Sequence, residues 1–182
     1  GSTKLAAELI LQEYVENYGI KAVINRFGLI SGPWQMGKTD QGVISLWVAR
    51  HVFKHPLSYI GFGGNGKQVR DFIHVDDVFD ILNKQISKLS QFNGQIYNIG
   101  GGQEQSISLF ELTNYCQEIT GQKVAIKKID KTRPGDVPIY ITDNNKIFSQ
   151  TGWKPKKSVK QTLTEIHSWL IDNRNDLEQV LL

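Results

Sequence analysis

Gly61-Phe62-Gly63-Gly64-Asn65-Gly66-Lys67-Gln68-Val69-Arg70-Asp71-Phe72-Ile73-His74-Val75 is the stretch on which the fold turns. Its glycines match Gly-x-Gly-x-x-Gly, the spacing that lets backbone amides at a helix N-terminus approach the pyrophosphate of a dinucleotide. That chemistry needs a strand before the glycines and a helix after them. Leu57 to Ile60 can supply the strand, but the glycines run into Val69 to Val75, which is rich in β-branched and aromatic residues and reads as a second strand. The glycines are therefore expected to form a flexible turn between two strands. No other segment carries a dinucleotide fingerprint.

Outward from this stretch, helical and strand patterns alternate. Residues 3 to 18 place Leu5, Leu9, Ile10, Val15 and Tyr18 close to a helical period, and Gly19 offers a stop. Ile20 to Phe27 is a short apolar run suited to a strand buried on both faces of a parallel sheet. After a loop to about Gln41, helical patterns lie at Gly42 to Lys54 and Asp76 to Leu89, and a strand at Gln95 to Ile99. Ser108 with Glu111 makes a capping box for a helix that Gly121 closes. A strand at Lys123 to Ile129, a loop at Thr132 to Pro138 and a short helix before Gly152 come next. Ser158 with Gln161 caps a long final helix. The alternation predicts an α/β fold: the C-terminal part of a doubly wound parallel sheet with a smaller α/β binding region.

Composition narrows the function classes. A chain of 182 residues, 40% apolar and 21% charged, with a net charge of +3, is an ordinary globular protein and too weakly basic to argue for nucleic acid. No apolar run approaches the roughly 18 residues that span a bilayer. The single cysteine, Cys116, sits in a helical pattern, where a small buried hydrophobe is expected. A cytoplasmic protein without membrane or nucleic-acid partners is the expectation. No His/Cys set has zinc spacing and no Ser/His/Asp order suggests a hydrolase, so no metal ligand is assigned. His74 is read as a satisfied, partly buried histidine. Asp76 and Asp77 are read as helix-start carboxylates favoured by the dipole, and Lys154, Lys156, Lys157 and Lys160 as a solvated basic face.

Four stretches carry a family resemblance. Gly1-Ser2-Thr3-Lys4 is similar to the tail of Tyr-x-x-x-Lys, with the tyrosine expected just ahead of Gly1 and facing Lys4 one helical turn on. Asn25-Arg26-Phe27-Gly28-Leu29-Ile30-Ser31-Gly32-Pro33 resembles Arg-Tyr-Phe-Asn-Val-Tyr-Gly-Pro, with Leu29 where asparagine is usual. Arg70-Asp71-Phe72-Ile73-His74-Val75-Asp76-Asp77 resembles Arg-Asp-x-Ile-His-Val-x-Asp, and Arg133-Pro134-Gly135-Asp136-Val137-Pro138 resembles Arg-x-Gly-Asp-x-Pro. In this order they identify the chain as a member of the extended short-chain dehydrogenase/reductase superfamily, among its NAD-dependent nucleotide-sugar epimerases and dehydratases. Asp40-Gln41-Gly42 and Gly63 to Asp71 resemble the CDP-paratose (CDP-tyvelose) 2-epimerase branch. Plain helix capping is the alternative reading of Asp40 and Gln41.

The resemblance implies a division of labour. Residues 1–33 would be the last helix-strand units of an NAD-binding Rossmann domain whose remainder lies upstream. Residues 34–182 would bind the nucleotide sugar, with 69–100 returning to the Rossmann sheet. Lys4 would hold the nicotinamide ribose and lower the tyrosine's pKa, and the Phe27 backbone would face the nicotinamide. Arg70 and Arg133 would grip the substrate diphosphate, Asp136 a ribose hydroxyl, and Asp40 and Gln41 the substrate. Arg70 paired with Asp71 or Asp136 in a structural ion pair is the alternative. The activity implied is epimerisation of a CDP-sugar by transient oxidation and hydride return. Other implied activities are 4,6-dehydration, 4-epimerisation, and, for the chain alone, binding without turnover. A homodimer is implied through the first helix, with Glu8, Gln12 and Glu16 facing outward.

Overall fold

The computed structural model describes residues 1–38 and 41–181. Helix α1 (Ser2–Tyr18) ends at Gly19, whose left-handed φ of 67° a residue with a Cβ avoids. Strands β1 (Ile24–Phe27) and β2 (Leu29–Ser31) follow, then helix α2 (Val43–Val52), strands β3 (Leu57–Ile60) and β4 (Val69–His74), helices α3 (Val75–Ser87) and α4 (Leu89–Phe92), and strand β5 (Ile96–Ile99). The second half holds β6 (Ser106–Ser108), α5 (Leu109–Thr120), β7 (Ile126–Ile129), β8 (Ile139–Tyr140), α6 (Asn145–Thr151), α7 (Val159–Asp172) and α8 (Arg174–Leu181).

The pairing is mostly parallel, as an α/β fold requires. β1 runs parallel to β5, from Ile24 opposite Ile96 to Phe27 opposite Ile99. β2 runs parallel to the second half of β4, with Leu29 opposite Phe72. The first half of β4 instead pairs antiparallel with β6 and parallel with β8, while β3 pairs parallel with β7. β4 therefore stitches two sheets together. Successive side chains of a strand point to opposite faces, so Phe72 enters a core with Trp47, Leu112, Leu163 and Ile166. Ile73 enters a second core with Ile81, Tyr97, Ile99 and Ile147.

Both capping boxes form as the sequence implies: Ser108 Oγ accepts from the Glu111 amide, and Ser158 Oγ from the Gln161 amide. Gly121 and Gly152 close their helices in the left-handed conformation.

Four details depart from the sequence reading. The strand within Ile20 to Phe27 begins only at Ile24, and none of its residues is buried, because β1 has one strand neighbour among the described residues. The Gly61–Gly66 turn does lead into β4 but is more closely packed than a loose connection: it contains a 3-10 turn at Phe62–Gly64, and a Cβ on Gly66 would lie 2.8 Å from the Tyr59 ring. The final helix is two helices, broken at Asn173, whose Nδ2 donates back to the Trp169 carbonyl at 2.9 Å. Glu8 and Gln12 do not face outward. They are half-buried on one face with Leu11 and with Val15, which faces Gly94, and Leu5, Leu9, Ile10 and Tyr18 are exposed. On that face Arg26 of β1 meets Glu8, Nη2 to Oε2 at 2.5 Å, and holds the Glu8 carboxyl below its usual range. Among the described residues no helix is long and apolar enough to cross a membrane.

Candidate functional site

A cavity of about 260 Å³ opens where the two halves of β4 change partners. Its apolar wall comes from α2 and from the β6–α5 junction, with Val43, Ile44, Trp47, Ile107 and Leu112. That wall is rigid for identifiable reasons. Trp47 is buried, stacks on Tyr59 with ring planes 4° apart, and donates its indole N–H to Thr113 Oγ1 at 2.9 Å; the Tyr59 hydroxyl donates to the same oxygen at 2.7 Å. The polar wall carries Gln41, Ser58, Gln68 and Arg70, and the 132–138 loop closes it with Arg133 and Asp136.

Arg70 is held by that loop. Its Nη2 donates to Asp136 Oδ1 at 2.6 Å and to the Val137 carbonyl at 2.6 Å, and its Nη1 donates to the Val69 carbonyl at 2.8 Å and reaches the Pro138 carbonyl at 3.5 Å. Asp136 Oδ1 also accepts from the Val137 amide. The ion pair with Asp136, the alternative raised by the sequence, is thus present, although both partners also line the cavity. Asp71 takes no part in it: this carboxylate is fully buried and accepts from the Gly102 amide at 2.9 Å. Arg133 is exposed and makes no ion pair among the described residues.

Of the residues singled out from sequence, Gln41, Arg70, Arg133 and Asp136 converge on one cavity, and Lys4 and Phe27 do not border it. Lys4 is exposed in the first turn of α1. Phe27 is half-buried at the carboxyl end of β1 and packs on the second core. Asp40 lies outside the described residues. The N-cap of α2 is Gly42 at φ 68°, with no side-chain cap bond, so Gln41 does not cap that helix. Ser58 and Gln68 were missed. Gln68 stands two residues before Arg70, and that period-2 spacing on an extended segment was the available signal.

The remaining titratable groups have structural roles. His74 is buried at the N-cap of α3; its Nδ1 accepts from the Asp76 amide at 3.0 Å, and its Nε2 lies 3.2 Å from Glu165 Oε2. Lys157 bridges Glu165 and Asp76, so the two carboxylates beside His74 share one cation. Asp77 is buried and accepts from the Lys156 and Lys157 amides, which fixes the approach to α7. Lys156 and Lys160 form exposed ion pairs with Asp80 and Glu118. Burial pushes the Cys116 thiol far above its usual pKa, which leaves it an inert core residue.

Neither glycine-rich stretch of the described residues leads into an α-helix. Gly61–Gly66 enters β4, and Gly100–Gly102 enters the single 3-10 turn Gln103–Gln105. A pyrophosphate cradle of the helix N-terminal type is therefore not found among them.

Comparison with known proteins places this architecture. The family model described as GDP-mannose 4,6 dehydratase matches residues 1–166. The CDP-paratose 2-epimerase of Salmonella typhi is 28% identical over 171 residues, covering 93% of this chain and 50% of that protein. A solved UDP-glucose 4-epimerase of Thermotoga maritima, with UDP-glucose, superposes with a TM-score of 0.79 at 26% identity, covering 96% of this chain and 53% of that one. The dTDP-glucose 4,6-dehydratase of Bacillus anthracis, solved in complex with NAD, gives a TM-score of 0.79 at 25% identity over 98% of this chain and 54% of that one. The chain spans about half the length of the relatives it matches.

Proposed function

The chain belongs to the GDP-mannose 4,6-dehydratase family, among nucleotide-sugar epimerases and dehydratases of the short-chain dehydrogenase/reductase type, and on that footing we propose that it is the nucleotide-sugar-binding half of an NAD-dependent epimerase. The observation that carries this reading is the convergence of Arg70 and Arg133 on one apolar-walled cavity. Two guanidinium groups supply the planar donors that a diphosphate needs, and the apolar wall suits a nucleoside.

The finer reading is epimerisation at C2 of a CDP-linked deoxyhexose. Gln41 on the cavity, the sequence of residues 63–71 and the Salmonella relative support it. Bound NAD supplies a reversible hydride acceptor at the sugar. The work of this chain is to position: Arg70 and Arg133 hold the diphosphate so that only the sugar turns. Lys4 and the Phe27 backbone would hold the nicotinamide end, at the carboxyl edge of the parallel strands where such sheets bind ligands. The rest of the cofactor site would come from a Rossmann half such as the longer relatives have room for. In this division residues 1–33 go with the cofactor domain and 34–182 with the sugar-binding region, and 69–100 rejoin the sheet. The pairing of β1 with β5 and of β2 with β4 supports that return. A homodimer through α1 completes the proposal.

A 4,6-dehydratase or 4-epimerase is the second reading, favoured by the dehydratase family model and by the Bacillus anthracis neighbour. Product analysis with CDP-, UDP-, GDP- and dTDP-sugars, with the Rossmann half supplied covalently or in trans, separates the two. Binding tests the core of the proposal. The chain alone is expected to bind CDP, to show no turnover and to bind NAD only weakly. Arg70→Ala and Arg133→Ala should each cost about 1.5 to 3 kcal/mol in CDP affinity, the range for hydrogen bonds to charged groups. Unchanged CDP affinity in both variants would refute the assignment.

A further inference from the structure

One buried polar atom of a cavity-lining side chain has no partner among the described residues. Gln68 is 8% exposed and lines the cavity two residues from Arg70. Its Nε2 donates to the Ile60 carbonyl at 3.1 Å, while its Oε1 is buried with no hydrogen bond among the described residues. The Ile60 carbonyl fixes which way the amide faces, because a flipped amide would set oxygen against oxygen. Gln68 is therefore locked as an acceptor. Residues two apart on an extended segment share a face about 7 Å apart, which suits one ligand reaching from an anionic group at Arg70 to a donor at Gln68.

We propose that Gln68 is the residue that selects the nucleobase, by accepting a hydrogen bond from an exocyclic base amine. The inference rests on the diphosphate reading of Arg70 and Arg133 given above and adds the base to it. Cytosine presents an amine donor at N4, where uracil and thymine present a carbonyl acceptor. An amine satisfies the Gln68 oxygen. A carbonyl leaves it unpaired and adds a second lone pair against it. Ser58, on the same wall, can donate or accept and so does not discriminate.

The test is calorimetric titration of the 182-residue chain with CDP, UDP and inorganic pyrophosphate. Wild type should bind CDP about tenfold tighter than UDP, the scale of one hydrogen bond made or left unmade. Gln68→Met, close in size and without either polar group, should bring the CDP/UDP ratio to about one by weakening CDP, with pyrophosphate unchanged. Equal affinities for CDP and UDP in wild type, or a Met variant that keeps the preference, overturns the assignment of Gln68 and leaves the diphosphate reading standing. If the Met variant does not fold, Gln68→Leu is titrated in its place and read by the same two outcomes. Failure of pyrophosphate and both nucleotides to bind wild type overturns the diphosphate reading, and the base reader falls with it.

Discussion

Helices α1 and α2 make opposite use of apolar residues. α2 buries eight of its ten residues, among them Ile44, Leu46, Trp47 and Val48. α1 is seventeen residues long and buries none, leaving Leu5, Leu9, Ile10, Tyr14 and Tyr18 exposed. The difference lies in the neighbours. α2 is held between α5 and α7 and contributes to the larger core, whereas α1 touches the body through the Glu8–Arg26 pair and through Val15, which faces Gly94. Apolar content says that a helix needs a cover, and says nothing about whether the same chain provides it.

The largest effects are expected on the α2 side. Leu163, on α7, is fully buried in the core that α2 shares. Leu163→Ala should cost about 2 to 5 kcal/mol, the sum of lost transfer energy and the cavity left behind. Urea denaturation measures it, and a cost under about 1 kcal/mol would mean that this core is as loosely covered as α1. The capping boxes come next. Ser108→Ala should cost about 1 kcal/mol and α5 should fray, whereas α1, which starts without a side-chain cap, has no such bond to lose.

Proton linkage sharpens the same contrast. The Ser108 hydroxyl, then the Ser108 amide, donate to Glu111 and hold its carboxyl below the usual range. A carboxyl depressed in the folded state stabilises above its unfolded pKa, and that contribution is lost as the pH falls through the folded value. His51 of α2 behaves differently. It is fully buried, and burial lowers its pKa against the opposing hydrogen bond to the Trp47 carbonyl. The unfolded chain then binds the proton first, so stability declines as the pH drops below about 6.5, the unperturbed value. A melting temperature that stays flat from pH 7 to 5 in wild type, or that falls equally in His51→Leu, would remove the buried histidine from this account.

The parts of the molecule that sequence made legible are those decided locally. β3, β4 and β5, both capping boxes and the glycine helix stops depend on residues within one turn or one strand, and they stand where the pattern puts them. The Gly61–Gly66 turn is legible from the strand pattern on the C-terminal side of its glycines. Its close packing is not, because the Tyr59 ring and Thr132 that leave little room for a Cβ at Gly66 and Gly61 come from other elements. The composition of Ile20 to Phe27 describes a strand with two covered faces, and the structure covers them only in part. At the cavity, Arg70 and Arg133 are visible as motif residues. The carboxylate that holds Arg70 belongs to a loop more than sixty positions away, and only the fold decides between Asp71 and Asp136, the two partners the sequence offered. Gln68 has only its period-2 spacing from Arg70 to mark it in the sequence, and its unpaired oxygen becomes visible only once the fold sets its neighbours in place.

The smallest effect on stability, and the sharpest test of the comparison, belongs to α1. Leu9→Ala removes a side chain that is 56% exposed and packs on no core, so the chain's unfolding free energy should change by no more than about 0.5 kcal/mol, the usual range for surface positions. The same residue should matter for association. Leu5 and Leu9 form one exposed strip on the helix, Ile10, Tyr14 and Tyr18 another, and β1 beside them is paired on one side only among the described residues. A free strand edge next to open apolar surface recruits a partner. Sedimentation of the chain over a range of concentrations should therefore show reversible self-association, and Leu9→Glu should weaken it while leaving the melting temperature in place. If Leu9→Ala instead costs as much as Leu163→Ala at concentrations where the chain is monomeric, the helix has a cover within its own chain and the contrast with α2 collapses. If the chain sediments as one stable monomer throughout, the strips on α1 are tolerated surface, and the homodimer proposed through this helix loses its physical basis.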